Sequence, residues 1–177
     1  MGILDWVYIL MGFLCPLDEQ AKALILGQHQ AGKSTLLTQL AQGRPGPTLH
    51  PTSEEVVIQG AKFVAVHFDG HQQGRYLWSD HLYETGGIVF LVDAADHERF
   101  AEVKAELHTL LAAKKARGIP IVVLGNKTDY PNAVSQEKLR YELGLEGISG
   151  RPFALYMCSL ALGQGGEDAL RWLARHM

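Results

Sequence analysis

Residues Gly27 to Ser34 read Gly-Gln-His-Gln-Ala-Gly-Lys-Ser, a G-x-x-x-x-G-K-[ST] string. It directly follows the apolar run Ala23–Leu26 and opens the periodic run Ser34–Ala41. Strand, loop and helix in that order are the context such a loop requires. Glycines let the backbone fold tightly, so that successive amide N–H groups point inward at an anion, and the helix N-terminus adds partial positive charge. His29, Gln30, Ala31, Gly32, Lys33, Ser34 and Thr35 would then surround phosphates. Lys33 would reach the β- and γ-phosphates, and the Ser34 hydroxyl would bind Mg²⁺. The loop specifies a nucleoside triphosphate and leaves the base open.

The rest of the chain supports one domain around that loop. With 177 residues, 47% of them hydrophobic and 20% charged, it is long and apolar enough for a packed core. Ala23–Leu26, Lys62–His67, Gly87–Val92, Ile119–Gly125 and Phe153–Cys158 read as strands. Most are continuous apolar runs, as expected of strands covered on both faces. Helical periodicity runs from Phe100 to Leu111 after Asp96, a candidate cap, and again over Ala133–Leu143 and Glu167–His176. The alternation predicts an α/β fold with a mostly parallel sheet between helices.

Sixteen basic against nineteen acidic residues give a formal charge of −3, which argues against nucleic acid as a partner and against a polybasic membrane anchor. Cys15 and Cys158 form neither a disulfide framework nor a zinc pair. His67, His71 and His81 include a His-x₃-His spacing, but on a strand end and loop with no further ligand, which argues against zinc.

A second motif fixes the base. Asn126-Lys127-Thr128-Asp129 follows the run Ile119–Gly125, about 90 residues after the phosphate loop. Asp129 is placed to accept from the two N–H donors on the Watson–Crick edge of guanine, a donor pair adenine lacks. Asn126 would brace the loop and the Lys127 stem would lie along the base. An ATP-dependent phosphotransferase on the same phosphate loop is disfavoured by Asp129.

Together these motifs resemble the Ras-like small GTPases, specifically the Sar-type members of the Sar/Arf branch. Pro47–Glu55 resembles their switch I and Gly70–Trp78 their switch II. Gly87–Asp96 resembles the following strand, and Tyr156–Ser159 the last nucleotide loop. The resemblance runs from about Lys22 onward. It implies a P-loop NTPase fold (a Ras-like G domain) with a six-stranded, mostly parallel sheet, and a cycle in which GTP orders both switches and hydrolysis releases them. Thr48, with Thr52 as the second choice, would bind Mg²⁺ and the γ-phosphate, the Gly70 N–H would meet the γ-phosphate, His71 would orient the attacking water, and Ser159 and Leu160 would contact the base. The implied partners are COPII inner-coat subunits, one of them GTPase-activating, and an exchange factor at the endoplasmic reticulum membrane.

Two positions depart from the family pattern. His67 stands where these GTPases carry the Asp of D-x-x-G, and His29 where Sar and Arf carry Asp in the phosphate loop. Both changes remove a carboxylate near the metal, and Asp69 lies two residues beyond His67. They predict weaker Mg²⁺ affinity and faster nucleotide loss, with a hydrolysis-impaired, GTP-holding scaffold as the alternative to a cycling switch.

Residues 1–17 differ from the G domain expected over 18–177. Ile3, Leu4, Trp6, Val7, Ile9, Leu10, Phe13 and Leu14 make most of this segment apolar, and Asp5 is the one charge between Ile3 and Leu17. Trp6 stands where a myristoylation signal wants Ser or Thr. Burying the eight apolar side chains yields at most about 12–24 kcal/mol, and ordering about twelve residues of backbone costs a similar amount. The segment is therefore expected to be a helix balanced between domain and lipid bilayer. The resemblance implies that it attaches the protein to the cytosolic face of the endoplasmic reticulum, and to Golgi and COPII vesicles.

Overall fold

The computed structural model describes residues 22–41, 48–50, 53–58, 61–66, 77–83 and 85–177. Among the described residues seven strands form one sheet: β1 (Lys22–Gly27), β2 (Thr48–His50), β3 (Ser53–Ile58), β4 (Ala61–Val66), β5 (Thr85–Asp93), β6 (Ile121–Asn126) and β7 (Phe153–Met157). Their order across the sheet is β2-β3-β4-β1-β5-β6-β7. From β4 to β7 every neighbouring pair is parallel, while β2–β3 and β3–β4 are antiparallel. Six strands of five to nine residues match the expected sheet, and the three-residue β2 extends its edge.

Helices cover both faces: α1 (Lys33–Leu40), α2 (Leu77–His81), α3 (Phe100–Ala112), α4 (Gln136–Glu142) and α5 (Gly166–Ala174). The continuous apolar strands are explained by this arrangement, because successive side chains go to opposite faces. Ile25, Leu91, Val122 and Leu124 pack with Leu36, Leu37 and Leu40 of α1 and Leu170 and Leu173 of α5. Their neighbours Leu24, Leu26, Phe90, Ile121 and Val123 pack on the other face with Trp78 of α2, Val103, Leu107 and Leu110 of α3, and Leu139 of α4.

Helix starts follow local chemistry in part. Ser135 caps α4, its hydroxyl accepting from the Lys138 N–H at 3.2 Å. Asp96, expected as a cap for the helix that follows, makes no side-chain cap bond. A short 3₁₀ turn, His97–Arg99, intervenes before α3, and the Asp96 carboxylate is engaged elsewhere. No helix among the described residues is long and apolar enough to cross a membrane. The N-terminal segment 1–17 lies outside the described residues.

Candidate nucleotide site

The C-terminal ends of β1, β5 and β6 lie side by side, the place where open parallel sheets bind ligands. The phosphate loop leaves β1 at Gly27, whose φ is +129°. A β-carbon there would stand 2.0 Å from the Leu91 carbonyl oxygen of β5, so only glycine fits. Gln30 takes φ +62° and Gly32 φ +108° before α1 begins. A β-carbon on Gly32 would meet the Asn126 side-chain nitrogen at 2.5 Å. The two glycines of the motif are thus required by close approach of β5 and of the base-reading loop. α1 has no acidic residue in its first turn and no side-chain cap, which leaves the N–H groups of that turn to an anion.

Lys33 is buried, and its ammonium donates to the carbonyls of Gly27 at 2.7 Å and Gln28 at 2.8 Å. Burial pushes its pKa down to about 8. Phosphates at the loop would favour the charged form and oppose that shift. Ser34 and Thr35 are exposed at the start of α1, and the Ser34 hydroxyl donates to Glu54 Oε1 of β3 at 2.7 Å. A hydroxyl facing a carboxylate is an all-oxygen, hard donor set. It suits a Mg²⁺ ion that keeps several waters and takes the remaining oxygens from phosphates. Among the described residues no cluster of three His, Cys, Asp or Glu could hold a metal without such help.

At the other end, β6 delivers Asn126, buried and fully used. Its Nδ2 donates to the Ala31 carbonyl at 2.8 Å, and its Oδ1 accepts from the Leu160 N–H at 3.0 Å. Asn126 therefore braces the phosphate loop and the last nucleotide loop together. Lys127 has φ +69°, and its ammonium pairs with the Asp93 carboxylate of β5 at 2.6 Å. Asp129 is exposed, with Oδ1 accepting from the Ser159 hydroxyl at 2.5 Å. The Thr128 N–H donates to the Cys158 carbonyl at 3.2 Å, which docks this loop on the end of β7. Ser159 and Leu160 are buried beside it. Cys158 packs behind the pocket, its thiol pKa pushed up to about 12 by burial, as an inert core group.

The expected residues from His29 to Thr35, with Asn126, Lys127, Asp129, Ser159 and Leu160, therefore converge on one site. Thr48 begins the edge strand β2 opposite Glu55, and its side chain lies outside what is described. Thr52, Gly70 and His71, with His67 and Asp69, lie outside the described residues. Sequence reasoning passed over Glu54, Asp93 and the side chains of Gln28 and Arg99. Asp93 carried a usable signal: it is the acidic last residue of an apolar parallel strand, at the edge where ligands bind.

Comparison with known proteins agrees with this geometry. The model of the ADP-ribosylation factor (Arf) family matches residues 8–177. The small COPII coat GTPase SAR1 of Giardia intestinalis is 35% identical, with all of both chains covered. That of Nicotiana tabacum is 34% identical, again over all of both chains. The ADP-ribosylation factor-like protein 8b of Arabidopsis thaliana is 30% identical, over 99% of this chain and 95% of its own.

Proposed function

Because the chain belongs to the ADP-ribosylation factor family, we propose that it is a guanine-nucleotide switch of the Sar type, binding GTP and GDP and hydrolysing GTP. The observation that carries this reading is the Asn126 bridge, which joins an anion cradle to an exposed carboxylate at the base end. In this site the amides of residues 29–35 and the Lys33 ammonium hold the phosphates. Asp129 reads guanine, while Ser159 and Leu160 close over the base. Mg²⁺, held by Ser34, Thr48 and the phosphates, would neutralise phosphate charge. The Gly70 N–H would meet the γ-phosphate and His71 would orient the attacking water. Intrinsic turnover is slow, since an arginine supplied by an activating partner is typically worth about 10³–10⁵ in rate.

The partner set follows from the similarity to the COPII coat GTPases: inner-coat subunits that bind the GTP form, with an activating subunit among them, and an exchange factor at the endoplasmic reticulum. The apolar residues from Ile3 to Leu14 would enter the lipid bilayer when GTP is bound. The purified chain is expected to carry guanine nucleotide and to hydrolyse GTP in single turnover. It is expected to float with liposomes with a non-hydrolysable GTP analogue and not with GDP. Equal flotation in both states would refute the membrane switch, and adenine nucleotide in the purified protein would refute the base assignment.

His29 and His67 stand in place of carboxylates, so retention of GDP is expected to need more Mg²⁺ than in Asp-bearing relatives. Glu54, bonded to Ser34, is a carboxylate left at that end of the site. GDP release measured against Mg²⁺ concentration tests this, and tight retention in micromolar Mg²⁺ would count against it.

A further inference from the structure

The phosphate loop contains a side chain to which the G-x-x-x-x-G-K-[ST] motif assigns no role. Gln28 occupies a position where the motif accepts any residue, yet it is buried and both ends of its carboxamide are engaged. Its Oε1 accepts from the Asp93 N–H at 3.2 Å, and its Nε2 donates to Asp96 Oδ2 at 3.1 Å. The same Asp96 oxygen accepts from Arg99 Nε at 2.6 Å. Arg99 Nη2 then donates to the carbonyl of His29 at 3.3 Å. The bonds form a closed circuit that leaves the loop through the Gln28 side chain, crosses the turn after β5, and returns to the loop backbone one residue later.

This circuit grips the half of the loop that Asn126 does not reach. Asn126 holds Ala31, whereas Gln28 and Arg99 hold residues 28 and 29 from outside. Gln30, at φ +62°, lies between the two anchors in a conformation that a non-glycine residue adopts at a cost. An amide cradle binds an anion well when its N–H groups already converge, because no ordering then remains to be done on binding. Asp93 extends the connection, since its carboxylate holds Lys127 at the base end while its N–H holds Gln28.

We propose that Gln28, with the Asp96–Arg99 ion pair, is a positioning clamp that keeps the phosphate loop in its anion-binding shape and thereby sets how long GDP is retained. The clamp rests on the guanine-nucleotide reading of the site. The Asp96–Arg99 pair is partly exposed, so its contribution is to geometry more than to overall stability.

The test uses the full-length chain loaded with a fluorescent GDP and chased with excess unlabelled GDP at fixed Mg²⁺. Gln28→Leu keeps the volume and removes both bonds, and release is expected to quicken about tenfold. Arg99→Ala is expected to quicken release severalfold, and to add less than twofold in the Gln28→Leu background, since one break opens the circuit. The rise in melting midpoint on GDP loading is expected to shrink in each variant. If Gln28→Leu does not fold, Arg99→Ala decides by the same two readouts. Unchanged release, with the melting midpoints of loaded and nucleotide-free protein lowered equally, overturns the clamp. A wild-type chain that retains GDP while the variants release at its rate removes the clamp alone; one that retains no guanine nucleotide removes both readings.

Discussion

The side chain of Asn126 donates to the backbone of Ala31 at 2.8 Å, across 95 residues of sequence, and so fixes the distance between the base-reading and phosphate-holding ends of the pocket. Replacing Asn126 by Ala leaves the buried Ala31 carbonyl and Leu160 N–H without that partner. The expected loss in GDP affinity is about 3 kcal/mol, roughly a hundredfold, by titration calorimetry. A change under threefold would show that the two loops hold their places without it.

Gly27, at the end of β1, and Gly118, in the turn before β6, should respond very differently to one added methyl group. Gly27→Ala would set a β-carbon 2.0 Å from the Leu91 carbonyl, against backbone that has nowhere to go. Failure to fold, or a loss above about 3 kcal/mol in denaturant unfolding, is expected. Gly118→Ala, also at positive φ (+79°) but with nothing within 4 Å, should lose only about 1 kcal/mol. Comparable losses at both positions would contradict the close packing of β1 on β5.

Base selectivity should follow one atom of Asp129. In Asp129→Asn the side-chain amide offers a donor to the base where the carboxylate accepted, which suits the carbonyl of xanthine. GDP affinity is expected to fall by about 100-fold or more, and xanthosine diphosphate to become the better ligand. Competition of the two diphosphates for a labelled nucleotide measures this. An unchanged preference would remove guanine recognition from this residue.

The buried ammonium of Lys33 makes a prediction about pH. Its folded pKa, about 8, lies below the ordinary value of 10.5. Between those values the unfolded chain binds the extra proton, so this group makes stability rise with pH across the window from about 8 to 10.5. The nucleotide-free protein is expected to show a rise of up to about 3 kcal/mol relative to Lys33→Met over that range. With GDP bound the rise should largely vanish, because phosphates hold the lysine charged. Chemical unfolding at a series of pH values checks it, and a parallel pH profile in the two proteins would refute it.

Much of this molecule was legible from residue order because the information is local. The phosphate loop and the Asn126–Asp129 loop each carry their chemistry within a few consecutive residues, and each sits directly after an apolar strand. The strands β1, β5 and β6 were readable from their apolar runs. β3, reading Ser-Glu-Glu-Val-Val-Ile, was hidden by the charges at its start; it pairs antiparallel with β4 and with the edge strand β2. The fourth helix starts three residues later and ends one residue earlier than the periodicity over Ala133–Leu143 suggests, since Ser135 provides its cap.

What residue order could not reveal are the contacts between those local pieces. Asp96 follows a strand and precedes a periodic helix, so a cap is the economical reading. Only the sheet order brings it against Gln28, 68 residues away, and gives its carboxylate better partners than a helix N-terminus. The same holds for Asp93 with Lys127 and for Ser34 with Glu54. Sequence alone determined which ligand chemistry the loops carry, because backbone conformation and side-chain type act at short range. Tertiary structure decided how the loops are held, because side-chain hydrogen bonds form only between groups that packing has already brought within about 3 Å.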